Sequence, residues 1–444
     1  MSTKKKTISG IIICMTAIAI AVIIASSGRK ADSSESATSE VPARVMLNDT
    51  LTNAMSDSDT LSGMDRTIDK YLAQWGIHGA SLAIMRNDSL VYAKGYGWAD
   101  EEKGIKMGPG NILRMASVSK LITAAGIMLL QEKGKLSLDD TVFGQSGILN
   151  DSIYTKSIKY SKMYDITVEQ LLRHQGGFSN SRGDPMFSTR DIIRQFGLEG
   201  APDHETLVKC ILKRPLGFKP GESQRYSNFG YLLLSMIIEK VSGCDYESFI
   251  KDNILTPAGC YDMHLAGNYY EDKRANEVKY YMHAGSELVE EYNLSGKMVE
   301  RCYGGNDIHA LSGAGAWCGS PAELCRFVAS IDGKNEVQDI LTKESIRQMT
   351  EYFDPQTYSL GWNDTKPNGE WTRTGTLSGT SALIKYFPDG ECWIMITNTS
   401  TWRGPGFTRY TEQLFRKCRE RYGSLIPHRN LFAVSCGSQA VTKK

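Results

Sequence analysis

The sequence predicts an α+β fold: one antiparallel sheet built from N- and C-terminal segments, flanked by helices, with a largely helical inserted subdomain. Three observations lead there. Two strand-like stretches, residues 79–85 and 90–96, stand early in the chain and face each other across the turn Asn87-Asp88. Two more, residues 381–387 and 392–398, come late and are joined by Pro388-Asp389-Gly390. Between these hairpins the pattern is mostly helical and loop-rich, and no internal repeat is seen.

Taken in order, the chain opens with Lys4-Lys5-Lys6, an apolar run over residues 8–25, and Arg29-Lys30. A positive segment before an apolar stretch is an export signal. The run is just long enough for a short membrane span, and Ala25-Ser26-Ser27 offers small residues for cleavage. Residues 1–30 therefore read as a signal peptide or an N-terminal membrane anchor. The lysines before the span place the bulk of the chain outside, in the periplasm, possibly tethered to the inner membrane by residues 8–25. Residues 31–62, rich in Ser, Asp, Thr and Ala and lacking aromatics, read as a disordered tether.

Residues 64–75 carry the spacing of an amphipathic helix, and the first hairpin follows. Ser117-Val118-Ser119-Lys120 then opens the most apolar long segment outside the N-terminal run, which continues to Gly134, a helix stop. Apolar residues on nearly every face predict a helix buried inside the protein. Further helices are expected over residues 167–174, 226–242, 321–331 and 408–422, and a strand over 358–362. The folded domain spans residues 63–425, and the tail 426–444 gives no clear signal.

The chemistry is expected at three places. On a helix, residues three apart share a face, so the Lys120 amine can reach the Ser117 hydroxyl. Ser117 in the first turn sits among unpaired N–H groups that favour developing negative charge. A desolvated amine has a lowered pKa and can take a proton near neutrality. Ser-x-x-Lys is a cheap pattern, and Ser2/Lys5, Ser27/Lys30 and Ser248/Lys251 also satisfy it. The first two fall in the targeting segment and the third in a helix of mixed polarity, so the copy at Ser117 is set apart by its apolar context.

The second place is Tyr226-Ser227-Asn228, on a loop about to enter a helix. A phenol beside a lysine can shuttle protons, and the Asn228 amide can hold the lysine or a substrate carbonyl. The plainer alternative is a buried tyrosine and a helix-capping asparagine. The third is Arg373-Thr374-Gly375-Thr376. Gly375 lets another backbone come close, and Arg373 can pair with a carboxylate in bidentate fashion. The alternative there is a solvated arginine on an edge strand.

In this order, Ser-x-x-Lys, Tyr-x-Asn and basic-Thr-Gly resemble the serine β-lactamase and penicillin-binding-protein superfamily, in the branch of class C β-lactamases, DD-carboxypeptidases and related esterases. Leu136-Ser137-Leu138-Asp139-Asp140, Leu171-Leu172-Arg173-His174 and Gly361-Trp362 share the likeness, which covers roughly residues 64–400. The resemblance implies that Ser117 is acylated and that Lys120 and Tyr226 share the proton work. It implies that Asn228 positions Lys120 and the substrate amide, and that the N–H groups of Ser117 and Thr376 form an oxyanion hole. Arg373, Thr374, Gly375 and Thr376 would bind substrate, with Arg373 where the family usually has Lys or His. His174 belongs to none of the motifs and reads as structural.

The expected activity is thus a serine hydrolase cleaving an amide or ester: a peptidoglycan-type D-Ala peptide, a β-lactam or a small ester. Its rival is a non-turnover receptor acylated at Ser117. Other classes fit worse. The formal net charge is +1 with no dense basic stripe, which gives nucleic-acid binding little support. There is no Gly-x-Ser-x-Gly elbow, phosphate loop, Cys-x-x-Cys or His-Glu-x-x-His, so neither a cofactor nor a metal is expected. Nine cysteines lie outside the apolar N-terminal run, an odd number that leaves at least one thiol unpaired or shared between chains.

Overall fold

The computed structural model describes residues 46–435 except 179, 181–182, 284, 286–287 and 353–356. The export segment, the first part of the expected tether and residues 436–444 lie outside the described residues. Among those described, no helix is long and apolar enough to cross a membrane.

A seven-stranded sheet carries the molecule. Its strands are β1 (Gly79–Arg86), β2 (Ser89–Asp100), β3 (Ile105–Lys106), β4 (Asp364–Thr365), β5 (Trp371–Leu377), β6 (Thr380–Tyr386) and β7 (Glu391–Thr397). Their order across the sheet is β4-β5-β6-β7-β1-β2-β3, with every neighbour antiparallel. The N-terminal hairpin and the C-terminal strands thus meet along β1 and β7, where Ala80 pairs with Thr397 and Arg86 with Glu391. Asn87 and Asp88 both take positive φ, the twist a tight hairpin turn demands.

Both faces of this sheet are covered, so its central strands are buried along their length except at Arg86, the last residue of β1. On one face Leu82, Ile84, Leu383, Trp393 and Met395 pack under α1 (Ser62–Trp75) and the C-terminal helix Thr408–Tyr422. On the other, Ala83, Met85, Ile384, Ile394 and Ile396 join the larger core with α2 (Ser119–Glu132), α3 (Asn228–Ser242) and α4 (Pro321–Ala329). α2 is buried from Ser119 to Leu130, the inner helix its composition predicts. With Thr408–Tyr422 as α5, the last helix keeps its expected bounds.

Three expectations are corrected. Residues 46–62 are not a tether: Leu47 and Leu51 are buried, and Asn48 bonds to Asp262 and Glu323 at 2.9 and 3.1 Å. A few apolar side chains in a polar stretch suffice to dock it. Residues 358–362 form no strand, because Gly361 takes φ +88° and packs so closely on α2 that a Cβ would lie 2.7 Å from that of Ala124. The domain also runs past 425, with Leu431 and Phe432 buried against the core.

Candidate active site

Ser117 is the central residue of a 3-10 turn, Ala116–Val118, that runs directly into α2. The residue before it, Ala116, has φ +49°, a left-handed conformation costing about 1–3 kcal/mol for a residue with a side chain. Ser117 stays partly exposed while its neighbours on both sides are buried. A strained turn thus holds a reachable hydroxyl over an apolar floor.

Lys120 lies in the first turn of α2 and is fully buried. Its Nζ donates to Ser117 Oγ at 3.2 Å, to Asn228 Oδ1 at 2.7 Å and to the Ala314 carbonyl. Burial, reinforced by the nearby Arg373 charge and opposed by Asp184, holds its pKa well below the ordinary lysine range. Tyr226 donates its hydroxyl to the same Ser117 Oγ at 2.7 Å. Burial raises the phenol pKa, and Arg373 and the bond to Ser117 pull against that rise. The Ser227 side chain caps α3 by accepting the Gly230 N–H, which fixes Asn228 at the start of that helix.

The sequence reading missed the support behind Asn228. Its Nδ2 donates to Asp184 Oδ2 at 2.7 Å, which leaves Oδ1 facing Lys120. Asp184 precedes Pro185 in a short turn and matches none of the motifs. The Ala314 carbonyl is equally invisible from sequence, being a backbone acceptor on the four-residue helix Ser312–Gly315. His174, which the sequence reads as structural, lies behind Tyr226. It is buried with φ +58°, and its Nδ1 faces the Ser227 N–H at 3.2 Å. Its ring lies 4.5 Å from that of Tyr226, and burial, with Lys120 and Arg373 adding to it, holds its pKa well below the usual histidine value.

β5 brings the third motif alongside Ser117. A Cβ on Gly375 would stand 2.3 Å from the Met115 carbonyl and 3.0 Å from the Ser117 nitrogen, so only glycine permits this approach. Thr374 donates its N–H to Asn363 Oδ1 at 2.6 Å, on the edge away from β6. The two-residue period of a strand turns the Thr376 N–H to that same edge. Arg373 departs from the solvated reading of it. It is fully buried rather than solvated, and its Nε donates to the Ser117 carbonyl at 2.8 Å, joined there by Nη2. Its buried Nη1 has no hydrogen-bond partner among the described residues.

Among the described residues one buried trio, His264, Glu277 and Cys318, brings potential metal ligands within 4.8 Å of one another. It sits beside the buried Arg114, and against the upward push of burial, His264 and then Arg114 lower the Glu277 pKa. Burial holds the Cys318 thiol pKa far up, so a metal would have to displace a proton there as well. None of the three bonds to Ser117 or Lys120.

A serine hydroxyl held between a buried lysine and a tyrosine, on an antiparallel sheet with helices on both faces, defines a serine hydrolase. The chain belongs to the Beta-lactamase family, whose model matches residues 64–414. It is 28% identical over 349 residues to the putative penicillin-binding protein PbpX of Bacillus subtilis, covering 77% of this chain and 76% of that one. It is also 28% identical over 246 residues to protein flp of Staphylococcus aureus, a match that spans only 45% of that relative. In fold it resembles the D-amino acid amidase of Ochrobactrum anthropi SV3, with TM-score 0.63 at 19% identity over 82% of this chain and 99% of that one.

Proposed function

We propose that this protein opens an amide or ester through an acyl-enzyme on Ser117, and that its substrate is a peptidoglycan-type D-Ala peptide, a β-lactam or a small ester. The observation that carries the reading is the convergence of the Tyr226 hydroxyl and the Lys120 amine on one serine oxygen at 2.7 and 3.2 Å. In this mechanism neutral Lys120 takes the Ser117 proton as Oγ attacks the carbonyl carbon. Tyr226 relays a proton to the leaving group, and Asn228 keeps the lysine in place. The N–H groups of Ser117 and Thr376 receive the oxyanion, at a typical worth of about 3 kcal/mol per donor. Water then releases the acyl group by the same proton path.

Similarity to a protein named for penicillin binding and, in fold, to an amidase of D-amino acids supports the substrate class. The apolar run over residues 8–25, preceded by lysines, supports a place outside the cytoplasm, where such substrates occur. The test is mass spectrometry of the intact protein with penicillin and with a D-Ala-D-Ala peptide. An adduct that forms and clears, and is absent in Ser117→Ala, is the expected result. An adduct that persists would favour a receptor over an enzyme, and a full adduct on Ser117→Ala would sink the assignment.

A further inference from the structure

We infer that the groove between α1 and α5, on the sheet face opposite Ser117, binds an acidic oligosaccharide. The groove encloses about 760 Å³. Arg66 and Lys70 line it from α1, and Lys417 and Arg421 line it from α5. No carboxylate lies among its lining residues.

The charges are arranged against the rules of an ordinary solvated surface. Arg66/Lys70 and Lys417/Arg421 are each four residues apart, so like charges sit one turn above another on both walls, where they repel. Among the described residues none of the four forms an ion pair. On the other side of α5 the pattern is the opposite: Arg416 bonds Glu370 and Glu412 at 3.0 and 2.8 Å, and Arg419 bonds Glu391 at 2.7 Å. α1 carries two acids, but Asp65 is engaged by Lys94, Tyr92 and Tyr96, and Asp69 lines a different groove beside Leu72, Ile77 and Gly97. Four cations left facing one another call for an anion from outside.

The remaining lining says which kind. Trp75, Tyr410 and Tyr422 supply aromatic surface, and Gln74, Gln413 and Thr67 supply amides and a hydroxyl. Aromatic faces suit sugar rings, and amides that both donate and accept suit their hydroxyls. Gly63 makes room for this wall, since a Cβ there would stand 2.8 Å from the Tyr422 ring. Trp402, 61% exposed and 6.4 Å from Trp75, extends the aromatic edge beyond the groove. A concave cleft of this kind fits a carboxylated or phosphorylated sugar chain better than a flat lipid surface.

Calorimetry with hexagalacturonate as the acidic probe and maltohexaose as its neutral counterpart tests the inference on the full chain. The wild type should bind only the acidic probe, more weakly as salt rises through about 0.15 M. Lys70→Glu with Lys417→Glu should weaken binding by at least about tenfold, since two charge-assisted contacts become repulsive. The same change at Lys156 and Lys159, exposed cations outside the groove, alters net charge equally and should leave binding within about twofold. Each groove substitution sets a carboxylate one helical turn from the arginine that remains on its own wall, Arg66 or Arg421, so urea unfolding should show no loss of stability. Equal loss in both double variants, or no binding of hexagalacturonate by the wild type, would overturn the inference. So would groove-dependent binding to phosphatidylglycerol vesicles without binding to the oligosaccharide.

Discussion

Gly375→Ala puts a methyl group where the structure has none to spare. The new carbon would lie 2.3 Å from the Met115 carbonyl oxygen, 3.0 Å from the Ser117 nitrogen and 3.1 Å from the Val118 nitrogen. Non-bonded carbon contacts are comfortable near about 3.5 Å, so β5 and the nucleophile turn must part by about 1 Å. All three neighbours are backbone atoms, and no side-chain rotation can absorb the change. β5 is held on its far side by β6, where Gly375 pairs with Ala382, so the gap opens towards Ser117. Oxyanion donors act at about 2.7–3.1 Å. Moving one of them by about 1 Å should slow acylation by about 10²–10³-fold. Overpacking should cost about 1–3 kcal/mol of stability in the same variant. Acylation kinetics by mass spectrometry, with urea unfolding in parallel, separate the two effects. Acylation within about threefold of wild type would refute the claim that β5 supplies a donor at this distance.

Lys120→Ala should slow acylation by about 10²–10⁴-fold, the usual cost of a positioned base, and a smaller loss in a rate series would shift the base role to Tyr226. Arg373→Met removes a cation that lowers the Lys120 pKa, so that pKa should rise and the ascending limb of the acylation–pH profile should move to higher pH. Because Arg373 holds the Ser117 carbonyl through Nε and Nη2, its loss should slow carboxylate-bearing and neutral substrates alike, and a loss confined to the former would favour carboxylate binding through Nη1. Glu323 is buried, and burial pushes its carboxyl from 4.5 up to about 7. A carboxyl raised in the native state binds its proton more tightly there than in the unfolded chain. Stability therefore falls as pH climbs from 4.5 to about 7, by up to about 3 kcal/mol. Glu323→Gln should flatten that slope in urea unfolding, and an unchanged slope would assign it to another group.

Much of the fold is legible in local pattern because its strongest signals are local. The hairpin turns, the apolar helix behind Ser117 and the stop at Gly134 each announce themselves within a dozen residues. What misleads is packing at a distance. Leu360 and Trp362 look like strand residues because they are buried, yet Gly361 bends the chain onto α2. Leu47 and Leu51 look too sparse to fold, yet each fills a place prepared by other segments. The site divides in the same way. Ser117, Lys120, Tyr226 and Asn228 stand in motifs whose order resembles a known family. Asp184, Asn363 and the Ala314 carbonyl reach the site only through the fold, and a backbone oxygen leaves no mark in sequence. Arg373 is recognisable as unusual, but whether it faces water or Ser117 depends on the turn lying across β5.

Its burial bears on how the proposed chemistry would be primed. Lys120 and Arg373 are both fully buried beside Ser117, bonded to its side chain and its carbonyl respectively. Two cations enclosed together repel, and the repulsion is relieved when one of them becomes neutral. Arginine does not give up its proton in proteins, so that part falls to Lys120. Asp184 opposes the shift, but it reaches the lysine only through the Asn228 amide and does not bond it directly. In the proposed mechanism this favours the neutral amine, at hydrogen-bond distance from the hydroxyl it would deprotonate. In that mechanism, once the oxyanion formed and Lys120 carried the serine proton, both cations would face an anion instead of each other. The arrangement therefore opposes charge on the resting lysine and rewards it in the transition state, the differential on which catalysis depends.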